Sequence, residues 1–158
     1  GAGLVPLESA EQARFDELLL VELPALSPLA EPARSELFTG EWECVWTNEK
    51  ELNFAVEKGL FGLPWLRTFQ TIDIEAGTLV NVLEFEDGGE LRVGSSITPD
   101  DADGTRFNFA FSECALRWRT LSVPLPPVGR GWAELLYLDE DMRIQRDVRG
   151  DLLLATRV

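Results

Sequence analysis

The feature that most constrains this chain is a change of hydrophobic period at Gly40. Before it, residues 8–23 place Ala13, Leu19, Leu20 and Leu23 on one helical stripe, opened by the capping-box spacing of Ser9 and Gln12. Pro24, Pro28 and Pro32 then interrupt the pattern, with room for another short helical turn in 31–38. After Gly40 the period is two. Trp42, Cys44 and Trp46 share one face of 41–47, Gln70, Ile72 and Ile74 one face of 68–75. Leu79, Asn81, Leu83 and Phe85 do so in 78–86, and Phe107, Phe109 and Phe111 in 105–111. Leu116, Trp118 and Thr120 alternate with Arg117 and Arg119, and further strands are expected at 91–98, 132–139, 142–146 and 151–157.

Asp87-Gly88-Gly89 and Asp103-Gly104 are hairpin turn signals between these segments. The pattern predicts a mainly-β fold of about eight antiparallel strands, closed as a barrel or stacked as a sandwich, with a short N-terminal helix over one end or flank. Residues 1–39 form a helical, Pro-rich lead-in and 40–158 the β-domain, one domain overall. A chain of 158 residues is long enough to bury a real core. Two connections are too long for tight turns: 48–64, and the Pro- and Gly-rich 122–131.

Charge narrows the partners. Lys and Arg number 14 against 28 Asp and Glu, a net charge of −14. Such a field repels phosphate backbones and anionic bilayers, and no basic stripe offsets it. No apolar run approaches the roughly 20 residues of a spanning helix, so membrane contact is expected to be peripheral. With Gly at position 1 and Met142 the only methionine, the chain is expected to be a processed or trimmed product. Cys44 and Cys114 read as buried thiols, a single bridge being the alternative.

Little here suits catalysis. The absence of histidine removes the commonest general base and metal ligand. Asp139 and Asp141 lie on one side of a strand, yet Arg143 and Arg146 beside them suggest ion pairs before acid–base work. Asp100, Asp101 and Asp103 before Gly104 fail calcium-loop spacing and read as a turn. Gly129-Arg130-Gly131 lacks the following helix of a phosphate cradle. No catalytic residue and no metal site is expected.

The apolar faces say more. Trp42, Trp46, Phe85, Phe107, Phe109, Phe111 and Trp118 would crowd the interior of a small barrel, either filling it or walling one ligand cavity. Gln70 and Asn81 are in phase with these apolar residues. Their buried amides either bond one another across adjacent strands or orient a polar head group. Leu60, Phe61, Leu63 and Trp65 form an apolar, Gly-punctuated segment that would cover the barrel mouth, enter a bilayer interface or dock on a partner.

Several of these segments resemble a known family. Gly40-Glu41-Trp42 resembles the Gly-x-Trp opening of lipocalins. Phe38, Gly40, Trp42, Trp46 and Thr47 are similar to the Leu-x-Gly-x-Trp-x-x-x-Tyr-Thr opening of the plastid lipid-associated proteins, or plastid fibrillins, with Trp46 at the usual Tyr. Gln70-x-Ile72-Asp73 and Asn81-Val82 are similar to that family's central strands. The run from Tyr137 through Asp139, Asp141 and Arg143 to Arg146 resembles its C-terminal signature. Together they span roughly residues 10–157.

The resemblance implies a lipocalin-like barrel in plastids, peripheral to thylakoids or plastoglobules. It also implies association with apolar molecules such as prenylquinones, carotenoids or fatty acids, with no required cofactor and no enzymatic role. A structural task suits the signature: Arg143 or Arg146 over the Trp42 indole, anchored by Asp139 or Asp141.

Two functions follow. The first is a non-enzymatic carrier of an apolar lipid or pigment, held among Trp42, Trp46, Phe85, Phe107, Phe109 and Trp118, its polar end near Gln70 or Asn81. The second is a peripheral structural subunit of a photosynthetic membrane complex, its barrel filled, contacting membrane proteins through Leu60, Phe61, Leu63, Trp65 and the Pro126–Pro127 loop. An enzyme of lipid metabolism is a distant third.

Overall fold

A computed structural model describes residues 9–48, 65–127 and 129–158. The helical stripe forms α1 (Ser9–Glu17), which runs through a π-helical turn (Leu18–Glu22) into a last α turn, α2 (Leu23–Ala25). Pro24 follows the π-helical turn, where the i→i−4 ladder is already interrupted and the Leu23 N–H bonds the Leu18 carbonyl. Two short 3-10 turns, Pro32–Arg34 and Glu36–Phe38, lead into the first strand.

Among the described residues, nine antiparallel strands follow: β1 (Gly40–Thr47), β2 (Trp65–Asp73), β3 (Thr78–Phe85), β4 (Gly89–Pro99), β5 (Arg106–Trp118), β6 (Leu121–Leu125), β7 (Arg130–Leu138), β8 (Met142–Asp147) and β9 (Leu152–Arg157). Their order is β4-β3-β2-β1-β9-β8-β7-β5-β6, and β4 pairs with β5 to close eight of them into a barrel. Closure removes the sheet edges that an open sheet would leave. The β3–β4 connection has three residues, Glu86–Gly88, between the Phe85↔Gly89 pair, with Asp87 and Gly88 at φ 64° and 73°, the left-handed region that Asp and Gly tolerate.

β6 lies outside that ring. The first half of β5 pairs with β7, from Arg106↔Glu134 to Ala110↔Arg130, and the second half pairs with β6, from Cys114↔Leu125 to Trp118↔Leu121. Residues 122–125 are therefore strand where a loop was expected. Pro124 had argued against it, yet an outer strand tolerates proline because no neighbour needs its N–H. The hairpin β5–β6 projects as a flap whose outer strand is exposed throughout.

Two cores result. Inside the barrel, Phe38, Trp42, Cys44, Ile72, Leu79, Ile97, Phe107, Leu135, Leu138 and Leu153 pack together. Outside it, Phe15, Leu19 and Leu23 of the helix cover Trp46, Ile144, Leu152 and Leu154. β-bulges decide which core some residues join. Cys44 faces Ala155 and Trp46 faces Leu154, so Val45 is the extra residue and the alternation reverses there. Trp46 consequently leaves the Trp42 face and meets Phe15 edge-on, at 4.8 Å between ring centroids. No described helix is long and apolar enough to cross a membrane.

Candidate functional site

One end of the barrel is sealed. Trp42, fully buried, donates its indole N–H to the Phe38 carbonyl at 3.1 Å. The Phe38 ring meets Phe107 at 5.0 Å. The guanidinium carbons of Arg143 and Arg157 lie 5.3 and 4.2 Å from the Trp42 ring centroid. Arg157 also donates to the carbonyls of Thr39, Leu37 and Glu140. Gly40 is required beside it: its φ is +145°, and a Cβ there would collide with the Arg157 guanidinium. The opening glycine and tryptophan of the first strand thus form one plug with the last arginine.

Arg143 is the unusual member. It is fully buried and among the described residues faces no carboxylate, its Nη1 donating to Gln145 and its Nη2 to Gln70. Burial pulls its pKa down to about 9, with Cys44 opposing the fall and Arg157 adding to it. The cation therefore remains charged at neutral pH. The expected anchor is elsewhere. Asp139 accepts from the Tyr137 hydroxyl at 2.6 Å and from the backbone N–H of Asp141 and Met142, shaping the β7–β8 turn. Arg146 points outward to Glu134 at 2.7 Å, and Asp141 is exposed. Of the expected arrangement, Arg143 over Trp42 is present, while neither aspartate holds it.

Above this plug is a pocket of about 130 Å³. Phe107, Phe109, Phe111, Leu79 and Leu153 supply its apolar wall; Gln70, Asn81, Ser95 and Gln145 its polar wall; Thr47, Asp147 and Asp151 also line it. Gly129 and Gly131 make room for the rings: a Cβ on either would lie within 3.0 Å of Phe111 or Phe109. This is the work of the Gly-Arg-Gly segment. The Asp100 and Asp103 carboxylates likewise serve a turn, accepting from the N–H groups of Ala102, Asp103 and Thr105. Among the described residues, no group of three or more His, Cys, Asp or Glu is placed to hold a metal ion.

Of the residues expected around a ligand, Gln70, Asn81, Phe107 and Phe109 line this pocket together. Gln70 and Asn81 are direct register partners, and the Gln70 amide donates to the Asn81 oxygen. Trp42 lies in the plug. Phe85 is buried but off the pocket wall. Trp46 sits under the helix, and Trp118 lies at the flap end, 38% exposed, with Arg119 stacked on it at 5.0 Å, so four of the eight expected residues lie away from the pocket. Leu60, Phe61 and Leu63 lie outside the described residues, as does the Trp65 side chain; Pro126 and Pro127 are exposed. Cys44 and Cys114 are not joined in a disulfide; Cys44 is buried as expected, and Cys114 is half-buried.

Ser95, Gln145, Asp147, Asp151 and Leu153 were not anticipated. Ser95 stands between Val93 and Ile97 in phase, the same signal that flagged Gln70 and Asn81. Gln145 had no such signal, because the apolar residue of β8, Ile144, faces out toward the helix.

The chain is similar to known plant proteins over most of its length. Over 117 residues, 73% of the chain, it is 42% identical to "Probable plastid-lipid-associated protein 11, chloroplastic" of Arabidopsis thaliana. Over 159 aligned positions, 97% of the chain, it is 26% identical to "Probable plastid-lipid-associated protein 5, chloroplastic" of the same plant. The matches cover 54% and 64% of those relatives' lengths. No solved structure matches significantly. The PAP_fibrillin family model matches residues 3–155, and the chain belongs to this family of plastid-lipid-associated proteins.

Proposed function

We propose that this barrel is a non-enzymatic binding module for an apolar plastid lipid or pigment of the prenylquinone, carotenoid or fatty-acid kind. It would act in the chloroplast, peripheral to the thylakoid or plastoglobule surface. The carrying observation is the pocket above the Trp42 plug, aromatic on one side and amide-lined on the other. Its volume of about 130 Å³ limits what enters. A dry cavity of roughly 150 Å³ accommodates a single benzene ring, so one ring or chain end fits here and a long polyene does not.

The remainder of the ligand has a path. The inward face of β3, β4 and β5 continues past the pocket through Leu83, Leu91 and Leu116, which are paired in register, to Val123 on the flap. Binding of this kind calls for no cofactor. Filling the pocket with Phe109→Trp is expected to abolish uptake of a short-tailed quinone measured by equilibrium dialysis. Unchanged uptake would remove the pocket as the site.

A second reading, a structural subunit on a membrane protein complex, draws on the exposed Leu121, Val123 and Leu125 and on the charge of −14. Contact would run through the flap and the Pro126–Pro127 loop. A partner held by the acidic surface should dissociate as salt rises, whereas a lipid in the pocket should not respond.

A further inference from the structure

We propose that the pocket selects a neutral hydrogen-bond acceptor, a carbonyl oxygen of quinone, ketone or ester type, over a hydroxyl donor or a carboxylate. This rests on the binding reading above and specifies the ligand's polar end. The argument begins with Arg143, whose guanidinium carries donors and no acceptor. Both side-chain amides that touch it must therefore turn their oxygens toward it. For Gln70 this leaves the NH₂ facing its register partner, so Asn81 must present its oxygen to Gln70. The NH₂ groups of Asn81 and Gln145 are left over, and both residues line the pocket.

A single buried cation thus sets the polarity of three amides in sequence. It ends with N–H donors on the pocket wall, and among the described residues neither NH₂ has a hydrogen-bond partner. A fourth group points independently to the same vacancy in the bonding. Ser95 lines the pocket, is only 4% exposed, and its hydroxyl has no partner. A buried hydroxyl without a partner is destabilising, and a bound acceptor would relieve that cost. A ligand oxygen with two lone pairs can accept from two of these three donors at once.

Two further charges decide against an anion. Asp147 and Asp151 also line the pocket and share the one Arg149 guanidinium, at 3.4 and 3.2 Å, so this group of three is net negative. A carboxylate would meet that charge within a protein of net charge −14. A carbonyl oxygen would keep the attraction of the donors without that repulsion.

Equilibrium dialysis of the full chain tests this with matched pairs: a 1,4-benzoquinone bearing one short isoprenoid tail against its quinol kept reduced, and a fatty-acid methyl ester against the free acid. The quinone and the ester are expected to bind at least tenfold tighter than their counterparts. Gln145→Glu keeps an oxygen toward Arg143 but replaces the free NH₂ with an acceptor. It should erase the quinone preference, and Ser95→Ala should weaken quinone binding alone, by several-fold. Equal binding of quinone and quinol, or tighter binding of the free acid, would overturn the proposal while leaving the binding module intact. Failure of the wild type to take up any of the four would overturn the binding reading itself.

Discussion

The two ends of this barrel are built from the same alternation and have opposite properties. At the sealed end, Phe38, Trp42, Leu138 and Arg143 are fully buried, and Arg157 ties the first strand's lead-in to the β7–β8 turn through three carbonyls. At the other end the inward residues are half-buried rings, amides and a serine without a partner, and the sheet runs on into an exposed flap. The difference teaches that interior volume here is set by side-chain size per level. Large rings at one level leave no space, and Ser95 and Asn81 at the next leave a cavity. Stability should concentrate in the plug and ligand discrimination in the pocket.

Trp42→Ala breaks the plug most directly. It removes the largest fully buried side chain and both cation contacts, and large-to-small aromatic changes cost about 3–5 kcal/mol. Against a typical stability of about 5–15 kcal/mol, much of the domain's margin would be lost. Urea unfolding should show a large fall in midpoint. A midpoint within experimental error of wild type would mean that the sealed end is not the stabilising one.

Arg143→Lys sharpens the comparison, because Arg143 belongs to the plug while its amide partners belong to the pocket. An ammonium retains the charge but lacks the planar fork that reaches both glutamines. At least one buried amide oxygen loses its donor, at a cost of about 1–3 kcal/mol. The urea midpoint should fall accordingly. A variant as stable as wild type would show that the two amides do not depend on the guanidinium, and would uncouple the two ends.

How much of this was legible beforehand depended on whether the alternation was interrupted. The strand segments, the helix and the Asp-Gly turn followed from period and turn chemistry, because burial on one side of a sheet imposes both. Trp46 was misplaced because a bulge at Val45 has no signature in a run where every residue suits a strand. β6 was missed because it buries nothing and contains proline, which removes the two signals by which strands are read.

In the pocket, Gln70, Asn81, Phe107 and Phe109 were readable as in-phase residues. Gln145 was not, since β8 lies between two cores and carries its apolar Ile144 on the outside. The contact of Arg157 with Gly40 escaped for a different reason: the two meet only through the β1–β9 pairing, more than a hundred positions apart in the chain.

The β7–β8 turn beside the plug offers a smaller effect with a defined pH dependence. Burial tends to raise the Asp139 carboxyl, but hydrogen bonds from Tyr137 and from the N–H groups of Met142 and Asp141 outweigh it and hold it below its ordinary 3.8. A carboxyl lowered on folding contributes fully above the unfolded value, and the contribution is lost as pH falls through the lower folded value. Protection of the Asp141 and Met142 amides should therefore be flat from pH 7 to 5 and decline below about 4. Asp139→Asn should remove the decline and cost about 0.5–1 kcal/mol, the turn being partly in water. Persistence of the same decline in the variant would assign it to another group.

The smallest expected effect is at the flap, and there a near-null result is informative. Leu121 is 59% exposed and pairs only with Trp118 across the hairpin. A surface change away from the core shifts stability by no more than about 0.5 kcal/mol, so Leu121→Ser should leave the urea midpoint in place. If the ligand tail lies along this strand, the same change should weaken a long-tailed quinone more than a short-tailed one, by roughly the about 2–3 kcal/mol of a buried leucine at most. Equal weakening of both would put the tail elsewhere. A large loss of stability would mean that the flap belongs with the sealed end in holding the barrel together, and the contrast between the two ends would have to be redrawn around β5.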